Sequence, residues 1–193
     1  MRHSVSISGE AFRLRPIADS DAPFILSLRG DPVLSRFLHS TPADLERQRE
    51  WLAQYYQRTG DWYFVIERVT DGQPEGLVSL YDLSAEGRTA EWGRWILRGG
   101  SLAAVESAWL IYRCAFERLD LIEVYCRTVA INEPVVSFHN SCGITRKSLL
   151  PEHFEINGHA VDAIEHRVSL AEWGEMEPHL ARLVRAISRR VIK

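Results

Sequence analysis

Between Thr89 and Val129 the hydrophobic pattern of the chain changes period twice, and this change limits what the chain can fold into. Thr89 to Leu97, TAEWGRWIL, reads as a strand. After two glycines, Leu102, Val105, Trp109, Tyr112, Phe116 and Leu119 recur at steps of three and four, as the buried stripe of a helix requires. Glu106, Arg113 and Glu117 fall on its wetter side, and Ser101 is placed to cap it. Leu121 to Val129 is then a second strand, rich in β-branched and aromatic residues. A strand, a helix and a strand in this order predict a βαβ crossover. Upstream lie two more strand-like runs, Trp62 to Val69 and Gly76 to Leu83. Turn signals at Asp71-Gly72 and Glu86-Gly87 connect these runs and the Thr89 strand into an antiparallel meander.

The flanking segments complete a mixed α/β pattern. Ala11 to Ile17 reads as a short strand, and Asp19 as the cap of a helix running to about Arg29. Thr41-Pro42 opens a second helix whose apolar stripe is Leu45, Trp51, Leu52, Tyr55 and Tyr56. Pro134 to Ser141 is a short helix ended by Gly143, and Val161 to Leu170 is the last strand. A terminal helix, Ala171 to Arg190, is expected to be interrupted at Pro178. The expected fold is a single α/β (mixed α+β) domain over residues 1–193, with its core at about 10–174. It is built on a twisted, mixed sheet of roughly seven strands flanked by helices.

Composition excludes several classes. The formal net charge of −3 offers no overall basic field for nucleic acid. There is no run of eighteen apolar residues to insert in a membrane, and Met1 to Glu10 carries no apolar signal core, which points away from secretion. Cys114, Cys126 and Cys142 form no CxxC pair, and the histidines form no HxxxH pair. These spacings suit a reducing cytoplasm and argue against a metal site.

The first candidate site is Arg98-Gly99-Gly100-Ser101-Leu102-Ala103, between a strand end and a helix start. Such a turn offers free backbone N–H groups at the positive end of a helix dipole, which suits a pyrophosphate, although a tight turn with no ligand would use the same residues. It is neither a phosphate loop ending in Gly-Lys-Ser/Thr nor a full GxGxxG, so nucleotide hydrolysis and dinucleotide redox chemistry lose support.

With Glu91-Trp92-Gly93-Arg94-Trp95-Ile96-Leu97, then Arg98 to Ala103, then Asn132, then Gly143-Ile144, the chain resembles the GNAT acyl-CoA N-acyltransferase superfamily, in its ribosomal-protein-acetyltransferase-like branch. Asn157-Gly158-His159-Ala160-Val161-Asp162, followed by Glu172-Trp173, resembles the end of that branch. The sequence departs from the pattern at Ser101, where the family turn has glycine, and at Leu102, where a basic or polar residue is usual. The resemblance implies acetyl-CoA as cosubstrate, no metal, and a sheet that parts between the strand at Glu91 to Leu97 and the strand at Leu121 to Val129. It implies that Trp95, Ile96, Leu97 and the Arg98 to Ala103 turn bind the cofactor, with Asn132 holding the pantetheine arm. It puts His139 where many members carry a tyrosine acid, and Glu91 where several carry a glutamate base. The alternatives are a helix residue that only hydrogen-bonds a neighbour, for His139, and a carboxylate paired with Arg94 or Arg127, for Glu91. Asp82 and Glu165 are reserve candidates for the base, or with Tyr81 line the acceptor pocket.

The implied activity is acetylation of a primary amine. Segments Gln48 to Phe64, Val78 to Asp82, Glu91 to Leu97, Val105 to Ser107 and Phe138-His139 also resemble enzymes that acetylate nucleotide-linked amino sugars in surface-glycan pathways. The alternatives are a protein amino terminus, a polyamine or another small amine as acceptor, and a non-catalytic acyl-CoA-binding domain. The implied partners are thus a small-molecule amine or nucleotide sugar, with a homodimer left open. The basic terminal helix, with Arg182, Arg185, Arg189 and Arg190, reads as a solvated face or a docking helix.

Overall fold

The computed structural model describes residues 2–38, 43–156 and 158–192. Eight strands form one sheet: β1 (Ile7–Ser8), β2 (Phe12–Pro16), β3 (Trp62–Arg68), β4 (Pro74–Tyr81), β5 (Thr89–Leu97), β6 (Glu123–Val129), β7 (Arg146–Ile156) and β8 (His159–Ser169). Their spatial order is β1-β2-β3-β4-β5-β6-β8-β7. The expected count of seven is exceeded by β1, a two-residue strand that pairs Ile7 with Leu14. It is too short to leave an alternation that sequence periodicity could detect. The helices are α1 (Ala22–Arg29), α2 (Leu45–Tyr55), α3 (Ala104–Arg113), α4 (Glu133–Ser141) and α5 (Leu170–Val191).

The sheet is buried on both faces, which is why its central strands read as nearly continuous apolar runs. From β3, Phe64 and Ile66 enter the core beneath α3 and α5, with Trp92, Leu110, Tyr112, Trp173 and Leu180. Tyr63 and Val65 point the other way and join Ile25, Leu28, Leu52 and Tyr55 of α1 and α2. Period-two alternation thus feeds two cores from one strand.

The meander is antiparallel through β2 to β5, and β5 is parallel to β6 across α3, as the change of period requires. The helical stripe extends beyond α3 through a wider turn at Cys114–Arg118, so the pattern stays helical as far as Leu119. β5 and β6 are partners only over Thr89↔Glu123, Ala90↔Val124 and Glu91↔Tyr125. Beyond Glu91, β6 continues beside β8 as far as Val129↔Ala163, while β5 has no partner on that side among the described residues. The sheet therefore parts where expected.

Several local expectations are corrected. Asp21, not Asp19, occupies the cap position of α1, after a 3-10 turn at Asp19–Asp21. Its carboxylate accepts the Ala18 N–H at 2.8 Å and pairs with Arg15. Asp44 caps α2, accepting from the N–H groups of Glu46 and Arg47, whereas the expected opening at Thr41-Pro42 lies outside the described residues. Ser101 is not the cap position of α3. It lies two residues before Ala103, whose N–H it accepts at 3.2 Å. α5 runs unbroken through Pro178. The ring removes one backbone bond, but Met176, Leu180, Ala181 and Val184 bury a continuous stripe on both sides of it. Among the described residues no helix is long and apolar enough to cross a membrane.

Glu106 is the largest departure. It is 2% exposed, not on the wet side of its helix. Its Oε1 accepts the Ala11 N–H at 2.9 Å and the Phe12 N–H at 3.2 Å, and its Oε2 accepts the Ser188 hydroxyl at 3.0 Å. One carboxylate from α3 thus ties the start of β2 to the end of α5. Gly9 makes room for it, because a Cβ there would lie 2.2 Å from Oε1. Burial pushes this carboxyl above its ordinary range against the pull of those donors. Glu106→Ala should lower unfolding free energy in urea by about 3 kcal/mol, because it strands buried donors. Glu106→Gln, which keeps one acceptor oxygen, should lose clearly less. Equal stability of both variants and the parent would refute the role.

Candidate active site

The parting of β5 from β6 opens onto a cavity of about 690 Å³. Glu91 lies at the last paired position of β5, and its side chain is 7% exposed. The Tyr81 hydroxyl donates to its Oε1 at 2.9 Å, and Arg127 donates to its Oε2 at 3.1 Å. Burial, opposed by Tyr81 and Arg127, holds this carboxyl above the usual carboxylate range. A carboxylate in that state is a better proton acceptor than an exposed one. Tyr81 reaches it because residue 93 is glycine: a Cβ there would lie 2.7 Å from the Tyr81 hydroxyl oxygen.

The strand is bent just past Glu91. Gly93 pairs with Ser79 but Ile96 pairs with Leu77, so β5 carries one residue more than β4 across this interval. The extra residue brings Arg94 to a φ of 49°, a left-handed conformation that is costly for a side-chain-bearing residue. Asp61 holds it there, accepting from Arg94 at 2.7 Å, and the Arg94 guanidinium lies 4.3 Å over the Tyr81 ring. The bulge turns the free edge of Trp95–Leu97 toward the gap between strands. Backbone groups on that edge have no strand partner and can take a ligand.

His139 lies on α4, 2% exposed, and lines the same cavity. Its ring packs edge-on to Trp92 at 5.2 Å, and its Nε2 lies 3.7 Å from the Cys126 sulfur. Burial, with a smaller push from His166, lowers its pKa to about 3. At neutral pH the ring is therefore a neutral imidazole. Asn132 precedes α4 and also lines the cavity, and its side chain makes no cap bond. Trp95 lines the cavity with its indole N–H given to Ser107 at 3.1 Å.

Other expected site residues lie elsewhere. Ile96 and Leu97 pack into the two cores, and the turn from Arg98 to Ala103 lies outside the cavity at the start of α3. Gly99 and Gly100 are exposed there with open space around them, and Gly100 has a φ of 78°. Tyr81 lines the cavity, whereas Asp82 is exposed and Glu165 is buried behind Arg127; neither is among the lining residues. Cys114, Cys126 and Cys142 are buried free thiols whose pKa values burial raises, which leaves them poor nucleophiles. Among the described residues no group of three or more His, Cys, Asp or Glu is arranged to hold a metal ion.

Of the arginines at the cavity, the sequence points to Arg94 and Arg127 as partners for Glu91, and Arg127 is paired with it, whereas Arg29, Arg47 and Arg58 carry no signal there. Arg29, Arg47, Arg58, Arg94 and Arg127 all line the cavity, and Glu91 is the one carboxylate among the described lining residues. They come from two helices, a loop and two strands, so no local spacing announces them. Trp51, Tyr63 and Phe37 line the wall around them.

A sheet parted at a bulged strand, with a buried carboxylate beside the gap, is the architecture of an acyl-transfer enzyme. The acetyltransferase (GNAT) domain family matches residues 12–145, and the chain belongs to this family as an N-acetyltransferase. It is similar to YdaF of Bacillus subtilis (strain 168), a candidate ribosomal N-acetyltransferase, at 25% identity over 68% of this chain and 89% of that one. It is similar in structure to FdhC, a nucleotide-linked sugar GNAT, with a TM-score of 0.77 and 29% identity over 93% of this chain and 98% of that one. A spermidine N-acetyltransferase from Vibrio cholerae, solved with CoA and spermine, shares the fold with a TM-score of 0.76. Its identity is 21% over 86% of this chain and 99% of that one.

The buried ring of His139 gives a direct test. Nitrogen NMR of labelled protein should show a neutral His139 imidazole between about pH 5 and pH 8, identified by its loss in His139→Phe. A midpoint near the ordinary histidine value would contradict the buried environment.

Proposed function

We propose that this chain transfers the acetyl group of acetyl-CoA to the primary amine of a nucleotide-linked amino sugar. The observation that carries the acceptor class is the guanidinium-rich cavity wall: five arginines line it with Glu91 as the one carboxylate among the described lining residues, while Asp61 behind the wall is shared by Arg58 and Arg94, and Arg47 lies near Asp44. Guanidinium groups bind phosphate oxygens in bidentate fashion and repel a polycation. Such a wall suits a diphosphate-bearing sugar and disfavours a polyamine. The likeness to FdhC, described as a nucleotide-linked sugar GNAT, supports the same reading. Acetyl-CoA as donor suits a reaction in the cytoplasm.

The donor's pyrophosphate suits the exposed Gly99-Gly100 backbone of the Arg98 to Ala103 turn, whose Arg98, Ser101 and Ala103 N–H groups bond within the chain, and its pantetheine arm the free edge of Trp95–Leu97, with Asn132 across the gap. Glu91 accepts one proton from the acceptor ammonium. The amine lone pair then attacks the thioester carbonyl, forming the N–C bond. The C–S bond breaks, and its electron pair leaves with sulfur. His139 passes the second amine proton to that sulfur through its two ring nitrogens, a role open to a neutral imidazole. One acetyl group moves from sulfur to nitrogen, and the Glu91 proton returns to solvent.

The rate should rise with pH as Glu91 loses its proton, and this acidic limb should lie above the ordinary carboxylate range. Glu91→Gln should remove the limb and cut turnover about a hundredfold to ten-thousandfold. His139→Phe should lower turnover and leave the limb in place. Both variants keeping parental turnover at every pH would leave positioning alone as the source of catalysis. CoA release should be fast with a UDP-linked amino sugar and slow with spermidine or an amino-terminal peptide. Arg47→Glu should raise the KM for the sugar nucleotide about tenfold or more, equivalent to about 1.4 kcal/mol. Ser101→Glu should instead weaken acetyl-CoA binding in calorimetry. Preference for spermidine would overturn the acceptor assignment.

A further inference from the structure

Glu91 is one end of a continuous chain of ion pairs. Arg127 donates to Glu91 through one terminal nitrogen at 3.1 Å and to Glu165 through Nε at 2.9 Å. The other oxygen of Glu165 accepts from Arg167 at 2.7 Å. Arg167 reaches Glu123 at 2.5 Å, and Glu123 meets Arg146 at 2.8 Å. Arg146 contacts Glu172, the residue that closes the capping box of α5.

The sheet sets this geometry. Arg127 and Glu165 are direct partners across β6 and β8, and Tyr125, the partner of Glu91, is paired with Arg167. Cross-strand partners on one face are held within contact distance. The Glu165 side chain is 8% exposed, so water contributes little to its balance. Burial opposes its ionisation, yet Arg167 and Arg127 together keep its carboxyl below the ordinary range.

We propose that Glu165 is a positioning residue for acetyl transfer, which acts by dividing the Arg127 guanidinium between two carboxylates so that Glu91 is held in place but not neutralised as a base. The proposal rests on Glu91 being the base. With Glu165 present, Arg127 gives Glu91 one hydrogen bond and a shared charge. Without it, the full positive charge of Arg127 would fall to Glu91 and weaken its hold on a proton. The other groups facing Glu91 are the Tyr81 hydroxyl and Asp82 from the β4 side, Tyr125 and Cys126 from β6, and Glu165 itself. Arg127 is the cation in hydrogen-bond contact with it, whereas Arg94 and Arg167 stand one residue further off, over the rings of Tyr81 and Tyr125.

The test is a carboxyl-carbon NMR titration of the full chain labelled at glutamate, with the Glu91 signal assigned by its loss in Glu91→Gln. It needs no acceptor, so a failed titration counts against the division of Arg127 and leaves the acceptor class and the role of Glu91 as base to their own tests. Glu165→Gln should move the Glu91 midpoint down by about half a unit to one unit, the scale of one charge a few ångströms beyond contact. Arg127→Gln should move it up by a similar amount. Glu165→Asp, which keeps the charge, should leave it nearly unmoved. The acidic limb of CoA release with a UDP-linked amino sugar should shift in the same directions. The position of a limb does not depend on how much enzyme is folded, so partial misfolding of a variant does not imitate the effect. A Glu91 midpoint that stays put in Glu165→Gln, or that moves the same way in Glu165→Gln and Arg127→Gln, would overturn the proposal.

Discussion

Three pairs of residues, Thr89 with Glu123, Ala90 with Val124 and Glu91 with Tyr125, join the two halves of the sheet, and the site depends on the pairing stopping there. A longer ladder would satisfy the edge of β5 and close the gap. A shorter one would leave Glu91 without a fixed position. Buried backbone groups must find partners, so an interior strand edge without a neighbour is stable only where water or a ligand can reach it. The cavity beside Trp95 supplies that access.

The end of the ladder has a local cause in the bulge at Gly93–Ile96, and the bulge in turn has side-chain support. Arg94 adopts a backbone conformation that costs on the order of 1 kcal/mol or more, and its ion pair with Asp61 and its contact with the Tyr81 ring keep it there. Tyr81 then does two things: it covers Arg94 and donates to Glu91. Gly93 allows both by leaving space for the hydroxyl. The strained residue, the aromatic and the candidate base are therefore one mechanical unit, and a change in any of them reaches the others.

Much of this was legible in the chain. The shift from the Thr89 strand to the Leu102–Leu119 stripe predicted the crossover, and the motif order predicted the parted strands. What stayed hidden was tertiary. Glu106 occupies a polar position on an amphipathic pattern, and only the approach of β2 and Ser188 makes it a buried hub. Pro178 breaks a helix by local rule, but the apolar stripe around it outweighs one lost bond. The cavity arginines come from segments between Arg29 and Arg127 that meet only in the fold. As a strand residue near the site Glu165 reads as a reserve base or a pocket wall, and its engagement by Arg127 depends on a cross-strand register that spacing cannot express.

The central claim is that the unpartnered edge of β5 receives the acetyl donor. Amide hydrogen exchange, read residue by residue with and without acetyl-CoA, tests it most directly. The account predicts that the donor slows exchange at Trp95–Leu97 and in the Arg98–Ala103 turn while the paired amides of β3 stay unchanged. Unaltered exchange along β5, with protection gathered at another edge such as β7, would contradict it.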